Sequence, residues 1–283
     1  MVFLKKILIL LSICFSTFIF CCSSSHNTPL KNTMEVHYIN VGQGDSILIK
    51  VNNKNMLIDS GPKDNKKDLL SYLNSLNISN IDYLIATHPH EDHIGNMNTI
   101  IKKYNINKFY SPKVSTTSKS FELMTEALKN KKMKINIINT NTTSLNLGKN
   151  TKITILSPSE DENFDNLNNY SPMIKIEYGE TSFLFTGDCE KEVEANVLSK
   201  NKTLLKADIL KIGHHGSSTS SSEEFLSSVN PSAVVITSGK DNNFGHPHSE
   251  TINLLKKHNI NFYNTATDNT IILISDGKTI FKK

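Results

Sequence analysis

The run His88-Pro89-His90-Glu91-Asp92-His93 places three imidazoles and the Asp92 carboxylate within six positions. Imidazole nitrogen and carboxylate oxygen together suit zinc and related divalent ions. The run follows the apolar stretch Ile81 to Thr87, which reads as a buried strand. Polar groups at the C-terminal ends of strands are where α/β proteins usually place their sites. A tight turn there can point His88 and His90 one way and Asp92 and His93 another, dividing four ligands between two adjacent ions. The competing reading is a polar surface loop that happens to be His-rich. Four fixed residues in this order make it the weaker one.

Three later segments have the same character. Phe183-Leu184-Phe185-Thr186-Gly187-Asp188 ends an apolar strand on a carboxylate. Asp188 can bridge two cations, or it can cap the helix that follows. Lys211-Ile212-Gly213-His214-His215-Gly216-Ser217 ends a second apolar strand on two imidazoles. Adjacent strand residues point to opposite faces, so one of the pair is expected to bind metal. The other is free to hydrogen-bond a phosphate or leaving group. His246 sits in a turn between Gly245 and Pro247. His248 reads as a turn residue or as support for a ligand. His26, His37 and His258 read as bystanders, and Cys189 as a small packing residue.

In type and order these residues resemble the metallo-β-lactamase superfamily. Asn40-Val41-Gly42-Gln43-Gly44-Asp45-Ser46 and Leu57-Ile58-Asp59-Ser60-Gly61 extend the likeness to the hydrolase domain of ComEC competence proteins and their stand-alone relatives. The match runs over essentially residues 34–283. The resemblance implies an α/β (α+β) fold, the four-layer αββα sandwich. It implies a ligand set of His88, His90, Asp92, His93, Asp188, His215 and His246 for two divalent ions, zinc or manganese. It also implies hydrolysis by a metal-activated water, with Asp92 as proton acceptor and His214 or His215 assisting the leaving group.

Two departures stand out. Many superfamily members supply a further His between the main motif and the bridging Asp, but here none lies between His93 and His214. Asn168-Asn169-Tyr170-Ser171 occupies that stretch, so the first ion is expected to be held more weakly. Asn40 replaces the usual Asp of the opening motif, at a position read as structural support.

The pattern around the motifs supplies the frame that must hold them. Strands are expected over Glu35–Asn40, Ser46–Val51 and Asn55–Asp59, with a hairpin turn at Asn52-Asn53-Lys54. A helix is expected over Asp68–Leu76, and others over Asn96–Lys103 and Lys119–Lys131. The second half repeats the style, with strands at Met173–Tyr178, Ser182–Thr186, Ala207–Ile212 and Ala233–Thr237 alternating with helices. Gly42 and Gly44 would let the backbone approach the floor of the site.

The N-terminus reads as an export signal. Met1 to Lys6 is basic, Ile7 to Phe20 is nearly unbroken apolar chain, and Cys21-Cys22 precede a Ser-rich stretch. This resembles a lipoprotein signal over residues 1–22, with Cys22 (or Cys21) lipidated, then a tether over 23–33 and a hydrolase domain over 34–283. The expectation is an exported protein on the outer face of the cytoplasmic membrane. With Cys189 alone in the domain, no internal disulfide is possible. The net charge is +4, of which Lys5 and Lys6 supply two within the leader. The remaining +2 is too small for a nucleic-acid footprint by itself. The chain has no Arg, which rules out bidentate guanidinium clamps on phosphate. One apolar run does not make a transport channel.

Together these readings favour a phosphodiesterase or nuclease, with a phosphodiester such as DNA as substrate and the membrane reached through the lipid. Hydrolysis of cell-wall or head-group phosphodiesters is the second reading. A non-catalytic, metal-stabilised DNA- or envelope-binding module is the third. A β-lactamase is disfavoured.

Overall fold

The computed structural model describes residues 32–283, so the expected signal segment, most of the tether and Cys22 lie outside the described residues. The strands are β1 (Met34–Tyr38), β2 (Ile47–Val51), β3 (Lys54–Ile58), β4 (Asn80–Ile85), β5 (Asn105–Ser111), β6 (Ile135–Ile137), β7 (Thr151–Ser157), β8 (Met173–Tyr178), β9 (Thr181–Phe185), β10 (Ile209–Lys211), β11 (Ala233–Ile236), β12 (Asn261–Asn264), β13 (Ile271–Ser275) and β14 (Ile280–Lys282). The helices are α1 (Lys66–Ser75), α2 (Glu91–Ile94), α3 (Met97–Lys103), α4 (Lys119–Asn130), α5 (Lys191–Asn201), α6 (Glu223–Val229), α7 (Ser249–Lys257) and α8 (Thr265–Asp268).

The strands form two sheets, ordered β14-β13-β1-β2-β3-β4-β5-β6 and β12-β11-β10-β9-β8-β7. The period-two alternation of strand side chains explains how they stack. Ile47, Ile49, Met56 and Ile58 face one way and meet Phe183, Phe185, Ile209 and Val235 of the other sheet in a shared core. Leu48 and Leu57 face the other way, onto α1, α3 and α4. Leu184, Leu210 and Val234 likewise turn outward onto α5, α6 and α7. The result is helices, sheet, sheet, helices: the expected αββα sandwich.

Between β2 and β3, Asn52 and Asn53 both have positive φ, +53° and +59°. That is the two-residue type I′ hairpin that asparagine favours. Among the described residues, no helix is long and apolar enough to cross a membrane.

One local expectation is corrected. His214 and His215 are not strand residues, because β10 ends at Lys211. They lie in a turn with left-handed backbone, φ 47° and 54°. Strand alternation therefore does not separate them; the turn does.

Candidate metal centre

His93 is the hub of the site. It lies on the short helix α2, which starts directly after the loop carrying His88 and His90. Its Nδ1 donates to Asp59 Oδ2 at 2.8 Å, with both side chains fully buried. That bond aims Nε2 at Asp188 Oδ2, 3.2 Å away, and at His215 Nε2, also 3.2 Å away. His215 is fixed in the same manner. Its Nδ1 donates to the Thr237 carbonyl at 2.7 Å, and its Nε2 faces Asp92 Oδ2 at 3.2 Å and Asp188 Oδ2 at 3.3 Å. One donor atom each from Asp92, His93, Asp188 and His215 lies within 4.8 Å of all the others.

These residues fit a divalent cation. Two ring nitrogens whose partners across the ring are already committed point at each other and at two carboxylates. Asp188 turns Oδ2 toward both rings, while its Oδ1 is buried without a hydrogen-bond partner, 3.7 Å from the Lys211 ammonium. The protonation preferences agree. Burial pulls the His93 and His215 imidazoles down, but Asp188 and the neighbouring carboxylates outweigh it and hold both well above their usual range. Burial pushes Asp188 up, yet His215 and His93 hold it well below the carboxylate range. In the protein alone, protons balance the charge that an ion would balance.

The remaining sequence-derived candidates sit around this group. His88 Nε2 is 3.0 Å from His90 Nδ1 and 3.8 Å from Asp188 Oδ2, so His88 approaches the Asp188 carboxylate while contacting His90. Burial, then the His93 charge, pulls His88 well below its usual value. His246 lies outside the four-donor group. Gln43 Nε2 approaches its Nδ1 at 3.3 Å, and its ring centroid is 6.2 Å from that of His215. Burial and the nearby His215 pull His246 down to about 4. His214 lines the opening, with Nδ1 3.3 Å from Glu190 Oε1 and Nε2 3.9 Å from Asp188 Oδ2. A cleft of about 320 Å³ opens over the centre and is bordered by Gln43, His90, Asp92, Asn168, His214 and His246, among others.

Several supporting residues were not singled out from the sequence. Asp59 also accepts from the Thr87 backbone N–H and hydroxyl. Lys211 is fully buried. Its ammonium is 2.6 Å from Asp45 Oδ2, 3.7 Å from Asp188 Oδ1, and donates to the Gly187 carbonyl. Asp45 also accepts from the Thr237 hydroxyl. A lysine inside the apolar run Ile209–Ile212 and an aspartate closing the run Met56–Ile58 were the available signals, since buried charges are paired or bind ions.

Gly44 has a specific steric role: a Cβ there would stand 2.1 Å from the Asp92 carbonyl oxygen. Asn40 accepts from the Gly42 N–H, which is the structural support expected of it. Asp188 caps no helix; the N-cap position of α5 is Glu190. Among the bystanders, His37 bonds Glu35 and Tyr72, and His258 pairs with Glu223. His248 links the Ser218 N–H to the Phe244 carbonyl. Buried Cys189 donates to the Ser171 carbonyl. His26 lies outside the described residues.

The metallo-β-lactamase superfamily model matches residues 39–239, which include the main motif, Asp188 and the two turn histidines. The chain belongs to the metallo-β-lactamase superfamily. Within it, the chain is 31% identical over 278 residues to ComE operon protein 3 of Bacillus subtilis, covering 92% of this chain and 34% of that protein. It is 31% identical over 247 residues to Recombination protein 2 of Haemophilus influenzae, covering 86% and 28% respectively. The chain therefore spans about a third of the length of these relatives. The resemblance to competence proteins thus holds for the shared region. Among solved structures, the metallo-β-lactamase fold protein YhfI from Bacillus subtilis superposes with a TM-score of 0.54 at 12% identity, over 89% of this chain and all (100%) of that one. At that identity the likeness speaks for the fold.

Proposed function

We propose that this protein is a metal-dependent phosphodiesterase, with nucleic acid as the leading substrate class. The observation that carries the reading is the Asp92–His93–Asp188–His215 cluster at the base of a cleft that His214 also borders. Divalent ions bound there would lower the pKa of a water and polarise a substrate oxygen. The protein's own groups divide the remaining work. Asp92 has a side chain 30% exposed, against 2% or less for His93, Asp188 and His215, so it is the carboxylate that reaches the cleft. It is placed to accept the proton of the attacking water. His215 is committed to the cluster, which leaves His214 to donate a proton to the departing oxygen. The Thr219 hydroxyl, 3.2 Å from His214 Nδ1, and the Glu190 carboxylate, 3.3 Å from it, orient the ring.

Similarity to a region of competence proteins supports phosphodiester chemistry over β-lactam chemistry. The leader, with its apolar run ending at Cys21-Cys22, supports export and lipid attachment on the outer face of the cytoplasmic membrane. Replacing Cys22 with Ala should abolish incorporation of labelled fatty acid. The catalytic reading is tested by Asp92→Ala. With metal content verified, this variant should lose at least about a hundredfold in turnover of a chromogenic phosphodiester while keeping the parent fold. Full activity would overturn it. A metal-loaded parent that binds DNA without cleaving any ester would instead indicate a binding module.

A further inference from the structure

Phe244 stands apart among the large apolar residues. It is 65% exposed, whereas the next most exposed among the described residues, Ile137, reaches 45%. It borders the same cleft as Asp92 and His214. Nor is it a loose loop tip. Asn242 accepts from the Phe244 and His246 backbone N–H groups and donates to the Gly239 and His246 carbonyls. His248 holds the Phe244 carbonyl from the other side. The ring lies 22° from the plane of His246, with centroids 5.7 Å apart. One face is thus backed by an imidazole, at the mouth of a catalytic cleft, on a turn pinned by hydrogen bonds.

An aromatic face pinned at the mouth of a cleft can serve as a recognition element. Its flat shape suits a planar partner. A nucleobase offers such a plane next to a phosphodiester. A quaternary ammonium head group and a polyol phosphate offer no plane to stack. Stacking on aromatic residues is also sequence-tolerant and needs no guanidinium, which this chain lacks.

We propose that Phe244 is the stacking platform for a nucleobase of the substrate, positioning the adjoining phosphodiester over the Asp92–His215 cluster. This rests on the phosphodiesterase reading, and its test separates the two. The metal-loaded full chain is assayed on two p-nitrophenyl phosphodiesters with the same leaving group, one carrying thymidine and one carrying only methyl. The parent should prefer the thymidine ester in kcat/KM. Phe244→Ala should reduce that preference by roughly tenfold, mainly through KM, as expected for one aromatic–base stack. Phe244→Tyr should retain it. An unchanged preference in Phe244→Ala, or preference for a phosphocholine ester that Phe244→Ala removes, overturns the proposal. Binding of a short single-stranded oligonucleotide containing 2-aminopurine gives a readout independent of turnover. Quenching by the parent that Phe244→Ala loses sustains the stack even if neither ester is cleaved, an outcome that would sink the phosphodiesterase reading alone. Absence of quenching by the parent, or equal quenching by both proteins, overturns the stack.

Discussion

Asp59 and His93 meet at 2.8 Å with neither side chain exposed, and this one bond decides which nitrogen of His93 reaches the candidate metal centre. The carboxylate holds Nδ1–H, so Nε2 is the nitrogen presented to Asp188 and His215. Partners of this kind fix tautomer and ring orientation for a metal-binding histidine. Asp59→Asn should therefore weaken divalent-ion affinity by about 10- to 100-fold, measured by chelator competition. Unchanged affinity in a folded variant would show that Asp59 does not orient the site.

Gly44→Ala should unfold more easily than the parent. Its φ is +141°, and the added Cβ would fall on the Asp92 carbonyl. Strained backbone and a clash that must be relieved by moving α2 predict a loss of about 2 kcal/mol or more in urea unfolding. Metal affinity should fall too, because the displaced residue carries Asp92. A variant with parental stability would contradict this.

Lys211→Met tests the buried cation. Removing one member of a buried ion pair leaves the other uncompensated, at a cost of about 3–5 kcal/mol. The partner here is Asp45 at 2.6 Å. Combining Lys211→Met with Asp45→Asn should recover part of the loss in a double-mutant cycle. Strictly additive losses would mean the two residues act independently.

The acid side of the stability profile should respond to Glu35, far along β1 from the centre. The hydrogen bond from His37 lowers its carboxyl to about 2, helped by the Lys50 charge and opposed by burial. A depressed carboxyl contributes stability above the unfolded value near 4.5, and the contribution disappears as pH falls toward about 2. Glu35→Gln should thus be less stable than the parent at pH 7 and converge on it near pH 2. A constant difference across that window would contradict the assignment.

Much of the fold was legible because β2, β3 and β9 are short, largely apolar runs bounded by turn residues. β5 was missed because Asn105, Asn107 and Lys108 interrupt its apolar pattern, and β12 and β14 are short strands with exposed side chains. The ligand candidates were legible from residue type and order. Their sorting was not, because it depends on backbone hand: His215 reaches the cluster and His214 the cleft through left-handed residues that no periodicity marks. Asp59, Asp45 and Lys211 were legible as members of the quoted motifs but not as a supporting shell, since their partners are distant in sequence. Asp45, for example, lies in the loop before β2 of one sheet, whereas Lys211 ends β10 of the other.

Metal content and hydrolysis measured on one preparation, before and after chelation, test the metal-centre assignment most directly. The protein should purify with a stoichiometric divalent ion and cleave a chromogenic phosphodiester. Chelation should abolish cleavage, and zinc or manganese should restore it. Cleavage that survives complete removal of metal, or a folded protein that binds no divalent ion, would contradict the assignment, whereas a fully loaded protein inert toward phosphodiesters would overturn the phosphodiesterase reading alone.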